Sequence, residues 1–190
     1  MRYDEYRGGS LFFIMKQKMF SIRKAVPSDA AILPTIEHSA AQTFRGHPEL
    51  GWIADDDVQS EQDHLNYIAQ EMEWVAVNNN DQPVAFINIE RLQESLHICE
   101  VSVCQSWQGK GVGRRLIQQV VEFALLEGVR SVTLTTFRDI AWNAPYYQRL
   151  GFSIVEASEL TTDLASILQQ EVNAGFNAEQ RCAMRLNIIR

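Results

Sequence analysis

Val103-Cys104-Gln105-Ser106-Trp107-Gln108-Gly109-Lys110-Gly111-Val112-Gly113 sets three of the chain's ten glycines within five positions. Apolar and β-branched residues precede this stretch. From Val112 onward the apolar residues Val112, Leu116, Val120 and Phe123-Ala124 recur at helical spacing, up to a stop at Gly128. The stretch therefore joins a strand to an amphipathic helix. Without side chains, several backbone N–H groups can approach one anion, and the helix N-terminus adds unpaired donors and the positive end of its dipole. Lys110, Arg114 and Arg115 add local positive charge to a chain that is acidic as a whole. A pyrophosphate matches this description, and an ordinary strand–turn–helix with glycines for tight packing is the plainer alternative. A dinucleotide fingerprint GxGxxG would need the third glycine at 114, and GxxxxGK[ST] is absent.

Working outward, the pattern predicts a first strand over Phe20 to Ala25 and a helix capped by Ser28-Asp29 that runs to about Phe44. Gly46 to Asp57 reads as an exposed loop and Ser60 to Glu71 as a second helix. Trp74 to Val77 and Pro83 to Glu90 read as a hairpin, and Leu96 to Cys104 as the next antiparallel strand. After the long helix come a strand over Ser131 to Phe137, a helix over Ala141 to Leu150, and a strand over Phe152 to Val155. A helix through Leu164 to Val172 and a strand over Cys182 to Ile188 close the chain. This order predicts one α/β domain of three layers, with a mixed, mostly antiparallel central sheet and helices on both faces, and not a doubly wound parallel sheet.

The chain has 190 residues, 46 % hydrophobic and 22 % charged, enough for one large domain with a substantial core. Lys and Arg total 17 against 24 Asp and Glu, a net charge of 17 − 24 = −7, which argues against nucleic acid as a partner. No apolar run approaches a membrane span of roughly 18 residues, so no membrane partner is expected. Cys99, Cys104 and Cys182 show no metal spacing and read as reduced thiols of a cytoplasmic protein, with no metal expected. Residues 1–18 read as an N-terminal extension ahead of a domain over 19–190, because the apolar run Leu11 to Met15 is too short for a signal-peptide core.

The run Gln108 to Gly113 fits the pattern [Q/R]xxGxG and resembles the acyl-CoA pyrophosphate loop of the GNAT superfamily of N-acyltransferases. A second segment of that family, with a Tyr shortly before Gly-Phe, is matched by Asn143 to Phe152. The resemblance runs from about Met19 to Ile188. It implies a GNAT fold, acetyl-CoA as co-substrate, and a possible homodimer. It further implies that Val101, Ser102 and Val103 pair with the pantetheine arm, and that Gln108, Gly109, Lys110, Gly111, Val112, Gly113 and Arg114 cradle the pyrophosphate. Tyr147 matches the tyrosine that protonates the departing thiolate in many members. Asn143 departs from the commoner spacing, at which Ile140 stands, and its contact with the cofactor is an expectation. Gln105 stands where many relatives carry Pro.

Transfer of an acyl group to an amine needs a neutral amine, donors for the developing oxyanion and a proton for the leaving sulfur. Glu100 is the candidate base, a carboxylate within an apolar strand; pairing with a nearby Arg or simple solvation is the alternative. Regular alternation puts Ile98, Glu100 and Ser102 on one face and Cys99, Val101 and Val103 on the other, with His97 opposite Glu100. Glu37, His38, Phe44, Trp52 and Asp55 to Asp57 are candidates for holding a cationic amine, and Phe137-Arg138-Asp139 and Trp142 for shaping the acceptor pocket. The expected function is N-acetylation of a small-molecule primary amine by direct attack in a ternary complex. Acetylation of a protein or peptide amine, and a catalytically idle CoA-binding sensor, are the alternatives.

Overall fold

The computed structural model describes residues 19–188; the extension expected over 1–18 lies outside them. Among these residues seven strands form one sheet: β1 (Ser21–Lys24), β2 (Glu73–Val77), β3 (Pro83–Arg91), β4 (Ser95–Val103), β5 (Ser131–Phe137), β6 (Ser153–Ile154) and β7 (Arg181–Asn187). Their spatial order is β1-β2-β3-β4-β5-β7-β6, and every neighbouring pair is antiparallel except β4 with β5. Among the described residues five α-helices cover it: α1 (Leu33–Ala41), α2 (Glu61–Ala69), α3 (Val112–Glu127), α4 (Ala144–Arg149) and α5 (Thr162–Asn173). The mixed, mostly antiparallel α/β architecture agrees with the sequence reading. Among the described residues no helix is long and apolar enough to cross a membrane.

Helix α3 buries Val112, Leu116, Ile117, Val120 and Ala124 against Trp74, Ile87, Ile98 and Leu134 of the sheet. The opposite face takes α1 and α2, whose Leu33, Ile36 and Ile68 pack on Val75, Val77 and Phe86. Leu164 of α5 covers Ala183 on that same face. Ser60 caps α2 by accepting from Asp63 N–H while Asp63 accepts from Ser60 N–H at 2.8 Å, a reciprocal box that fixes the helix start. Gly128 ends α3 in the left-handed conformation (φ +67°).

Four local expectations are corrected. The first helix begins at Leu33, because the Asp29 carboxylate is taken by Arg23 (2.7 and 3.1 Å) and Val26 N–H (2.8 Å) and closes a short 3-10 turn. Within Gly46 to Asp57 a 3-10 turn forms over Gly51–Asp55, with Arg45 bridging to Asp55. Helix α4 starts at Ala144 rather than Ala141.

The fourth correction matters most. Asn88 pairs with Glu100, but Ile89 pairs with Ile98, so Cys99 is an extra residue, a β-bulge. Side-chain alternation inverts there. Leu96, Ile98, Val101 and Val103 share the α3 face, whereas His97, Glu100 and Ser102 share the other. His97 is therefore on the same face as Glu100.

Candidate active site

The parallel pairing of β4 with β5 covers only Ser95–Ile98 against Ser131–Leu134. Beyond the bulge the two strands diverge, and a cleft of about 960 Å³ opens between them. One flank is β4 from Cys99 to Val103, the other Thr135 to Phe137 of β5. Splitting a sheet this way leaves main-chain donors and acceptors of β4 facing the cleft, which an extended ligand can satisfy as a strand would.

The glycine run lies at one end of this cleft, where Gly109, Gly111, Val112, Gly113 and Arg114 line it. Gly109 and Gly111 have φ +72° and +79°, and a Cβ at either would meet nothing within 4 Å. The backbone is thus bent in a way that favours glycine and is open on its outer side. The hydrogen bond from Arg115 N–H to Gly111 O (3.1 Å) is where the α3 ladder starts, so the N–H groups of the preceding first turn point out of the helix end. These residues fit a diphosphate. Gln108 braces the loop: its Nε2 donates to Val103 O (3.1 Å), and its Oε1 accepts from Thr43 Oγ1 (3.3 Å). The Lys110 ammonium lies 4.9 Å from the Trp107 ring centroid, outside the cleft lining.

Tyr147 and Asn143 enter from α4. The Asn143 carbonyl accepts from the N–H groups of Tyr146 (2.8 Å) and Tyr147 (3.0 Å), while its side chain makes no cap hydrogen bond and lines the cleft. Tyr147 is held by ring contacts to Tyr146 and Phe152 (centroids 5.4 and 5.8 Å). Burial pushes its phenol above the ordinary range, and the charge of Glu100 adds to that. It therefore carries its proton at neutral pH.

Glu100 lies across the cleft from α4. Ser102 Oγ donates to its Oε1 at 2.7 Å and Val101 N–H also reaches the carboxylate, but burial outweighs both and raises its pKa. Glu37 of α1 lines the same space; burial first and the Glu100 charge second push it up to about 8, against the Gln59 N–H donated to its Oε2 at 3.1 Å. The sequence reading named Glu37 for amine recognition without anticipating this carboxylate pair.

An aromatic wall closes the end of the cleft away from the glycine run. Phe44 contacts Phe137 and Trp142, each at 5.8 Å between centroids, and Phe137 contacts Phe176 at 5.8 Å. Arg181 lies over Phe137 (4.6 Å) and pairs with Glu171 through two bonds of 2.8 Å. Glu171, Phe176 and Arg181 were missed from sequence, since α5 and β7 reach the site only through the sheet order. Trp52 contacts Phe176 with the rings tilted (5.3 Å between centroids) outside the cleft, and Asp55 is bound by Arg45; Asp56 and Asp57 do line it. Among the described residues no group of three His, Cys, Asp or Glu is arranged to hold a metal ion.

A family model described as the Acetyltransferase (GNAT) family matches residues 36–152, and the chain belongs to that family. The fold is similar to that of PaiA N-acetyltransferase from Thermoplasma acidophilum, solved with coenzyme A: TM-score 0.64, 14 % identity, covering 88 % of this chain and 98 % of that one. It is similar also to the ribosomal-protein-S18-alanine N-acetyltransferase from Escherichia coli (0.62, 19 %, 90 % and 96 %). A third likeness is to N-acetylglutamate synthase from Neisseria gonorrhoeae, complexed with coenzyme A and N-acetyl-glutamate (0.65, 14 %, 92 % of this chain and 36 % of that one).

Proposed function

We propose that the chain transfers an acetyl group from acetyl-CoA to the primary amine of a small cationic molecule, by direct attack in a ternary complex. One observation carries this reading: a single cleft runs from the glycine loop, past Tyr147, to the Glu37–Glu100 pair and its aromatic wall. The loop amides of Gly109 to Arg114 bind the pyrophosphate, and the edge of β4 that faces the cleft at Val101 to Val103 pairs with the pantetheine arm, which displaces Gln108 Nε2 from Val103 O. Val103, at the end of β4, is positioned to offer backbone N–H to the thioester oxygen.

Glu100 takes a proton from the bound ammonium and passes it to solvent, so that the nitrogen lone pair forms the new bond to the acetyl carbon as the carbon–sulfur bond breaks; the nitrogen then gives its second proton to Glu100, leaving a neutral amide. Tyr147 gives its phenolic proton to the departing sulfur, leaving free thiol, and recovers a proton from solvent. Carboxylates beside aromatic faces favour a cation through Coulomb attraction and cation–π contact.

The test is thiol release from acetyl-CoA against polyamines, amino acids, aminoglycosides and short peptides, beside thermal shift with acetyl-CoA alone. Turnover concentrated on small cationic amines supports the reading. Turnover with peptides alone moves the acceptor to a protein amine, and a rise in melting temperature with no turnover on any amine leaves a binding module.

A further inference from the structure

Behind the acceptor end, on the sheet face that carries α1 and α2, polar side chains are sealed into an apolar layer. His64 of α2 sets Nδ1 2.8 Å from Glu73 Oε1 of β2, and neither side chain has exposed surface. Asn88 of β3, fully buried, donates Nδ2 to Glu73 Oε1 at 3.3 Å and to Gln59 Oε1 at 2.6 Å. Gln59 lies just before α2, and its backbone N–H reaches Glu37 Oε2 at 3.1 Å. The run begins on a buried histidine and ends on a carboxylate of the cleft.

Apolar residues of similar size would fill this volume with less desolvation penalty. His64 Nε2, Glu73 Oε2 and Asn88 Oδ1 each lack a protein partner among the described residues, and buried polar atoms of this kind call for an explanation beyond packing. The cluster's directed bonds lead to Gln59 and from there to Glu37.

We propose that Asn88 and Glu73 tune the acceptor site: Asn88 is a positioning residue that acts through Gln59 to fix the Glu37 carboxylate, Glu73 acts on that carboxylate by its charge, and together they set the charge that an incoming amine meets. Asn88 clamps the Gln59 side chain, which keeps that residue's N–H aimed at Glu37. The N–H favours the ionised carboxylate, whereas the charge on Glu73 opposes it. The other acidic groups facing Glu37 are Glu100 of β4 and Asp63 of α2, and Asp56 and Asp57 from the segment between α1 and α2 line the same cleft. Glu171 and Arg181 line it as well. Breaking the clamp and removing the Glu73 charge therefore move the titration of Glu37 in opposite directions, which a network serving stability alone does not do.

Carboxyl carbon-13 NMR of Glu37 in the full chain, with no acceptor added, reads this directly; the pH profile of kcat/KM for an acetylated amine is the kinetic counterpart. Asn88→Leu is expected to move the midpoint up and Glu73→Gln to move it down, each by about half a pH unit or more. Gln59→Ala, at a half-buried position, breaks the same clamp without opening the core and is expected to shift the midpoint upward as well. Unmoved midpoints in Gln59→Ala and Glu73→Gln, or shifts of the same sign, overturn the proposal. Only the kinetic arm rests on the amine-acetylation reading: if no amine is acetylated that reading fails, and the NMR titration still decides the network.

Discussion

Glu37 and Glu100 face one cleft from different elements, and after burial the charge of Glu100 is the strongest influence keeping the proton on Glu37, which is pushed up to about 8. Below that pH Glu37 is neutral and attracts an ammonium weakly; above it, the anion does so strongly. For a cationic amine, kcat/KM is expected to rise with pH up to about 8. Glu37→Gln should remove that limb and cost about tenfold in kcat/KM, mostly through KM. Initial rates of thiol release over roughly pH 6 to 9 check it.

Tyr147 is a phenol raised above its ordinary range by burial, and so remains a proton donor at neutral pH. Tyr147→Phe is expected to lower kcat about a hundredfold, the range of a positioned general acid, while CoA affinity by calorimetry stays within about threefold. Tyr146→Phe, on the neighbouring ring, should change kcat by less than about threefold. Equal losses in the two variants would remove the assignment.

Gly111 holds φ +79° with open space where a Cβ would go. The penalty for Gly111→Ala is thus conformational, about 1–2 kcal/mol, and appears as a lower melting temperature. The same methyl projects into the approach to the loop amides, so CoA should bind about tenfold more weakly in calorimetry.

His97 is buried on the β4 face that also carries Glu100; its Nδ1 is 3.0 Å from Thr133 Oγ1, and burial lowers its pKa from 6.5 to about 4. Between these two values the unfolded chain binds a proton that the folded chain does not. Stability from this group is therefore full above about pH 6.5 and falls as pH drops toward about 4, by roughly 3 kcal/mol in total. Urea unfolding at about pH 7 and about pH 5 measures the slope, and His97→Gln should flatten it.

Main-chain chemistry with a local signature was legible from sequence. Gly111 and Gly128 bracket α3 as the helical spacing required, and Ser60 starts α2 because its hydroxyl and Asp63 satisfy each other's backbone N–H. Ser28-Asp29 carries the same kind of signal and misled, since Arg23 on the adjacent strand claims the Asp29 carboxylate. The bulge had no signature: Cys99 is one more residue in an apolar run, and only the pairing partners on β3 reveal that it is unpaired. Phe44, Phe137 and Trp142 of the aromatic wall were named from the sequence, but their meeting with Phe176 was hidden for a similar reason. Phe44, Phe137 and Phe176 meet because β7 inserts between β5 and β6, an order that no local pattern specifies.

That single unpaired residue has a further bearing on how the family can diversify. The gap between β4 and β5 is created by backbone register, not by the groups that line it. Exchanging the lining can redirect the choice of acceptor while the place for the donor persists, so the two halves of the reaction are free to evolve apart.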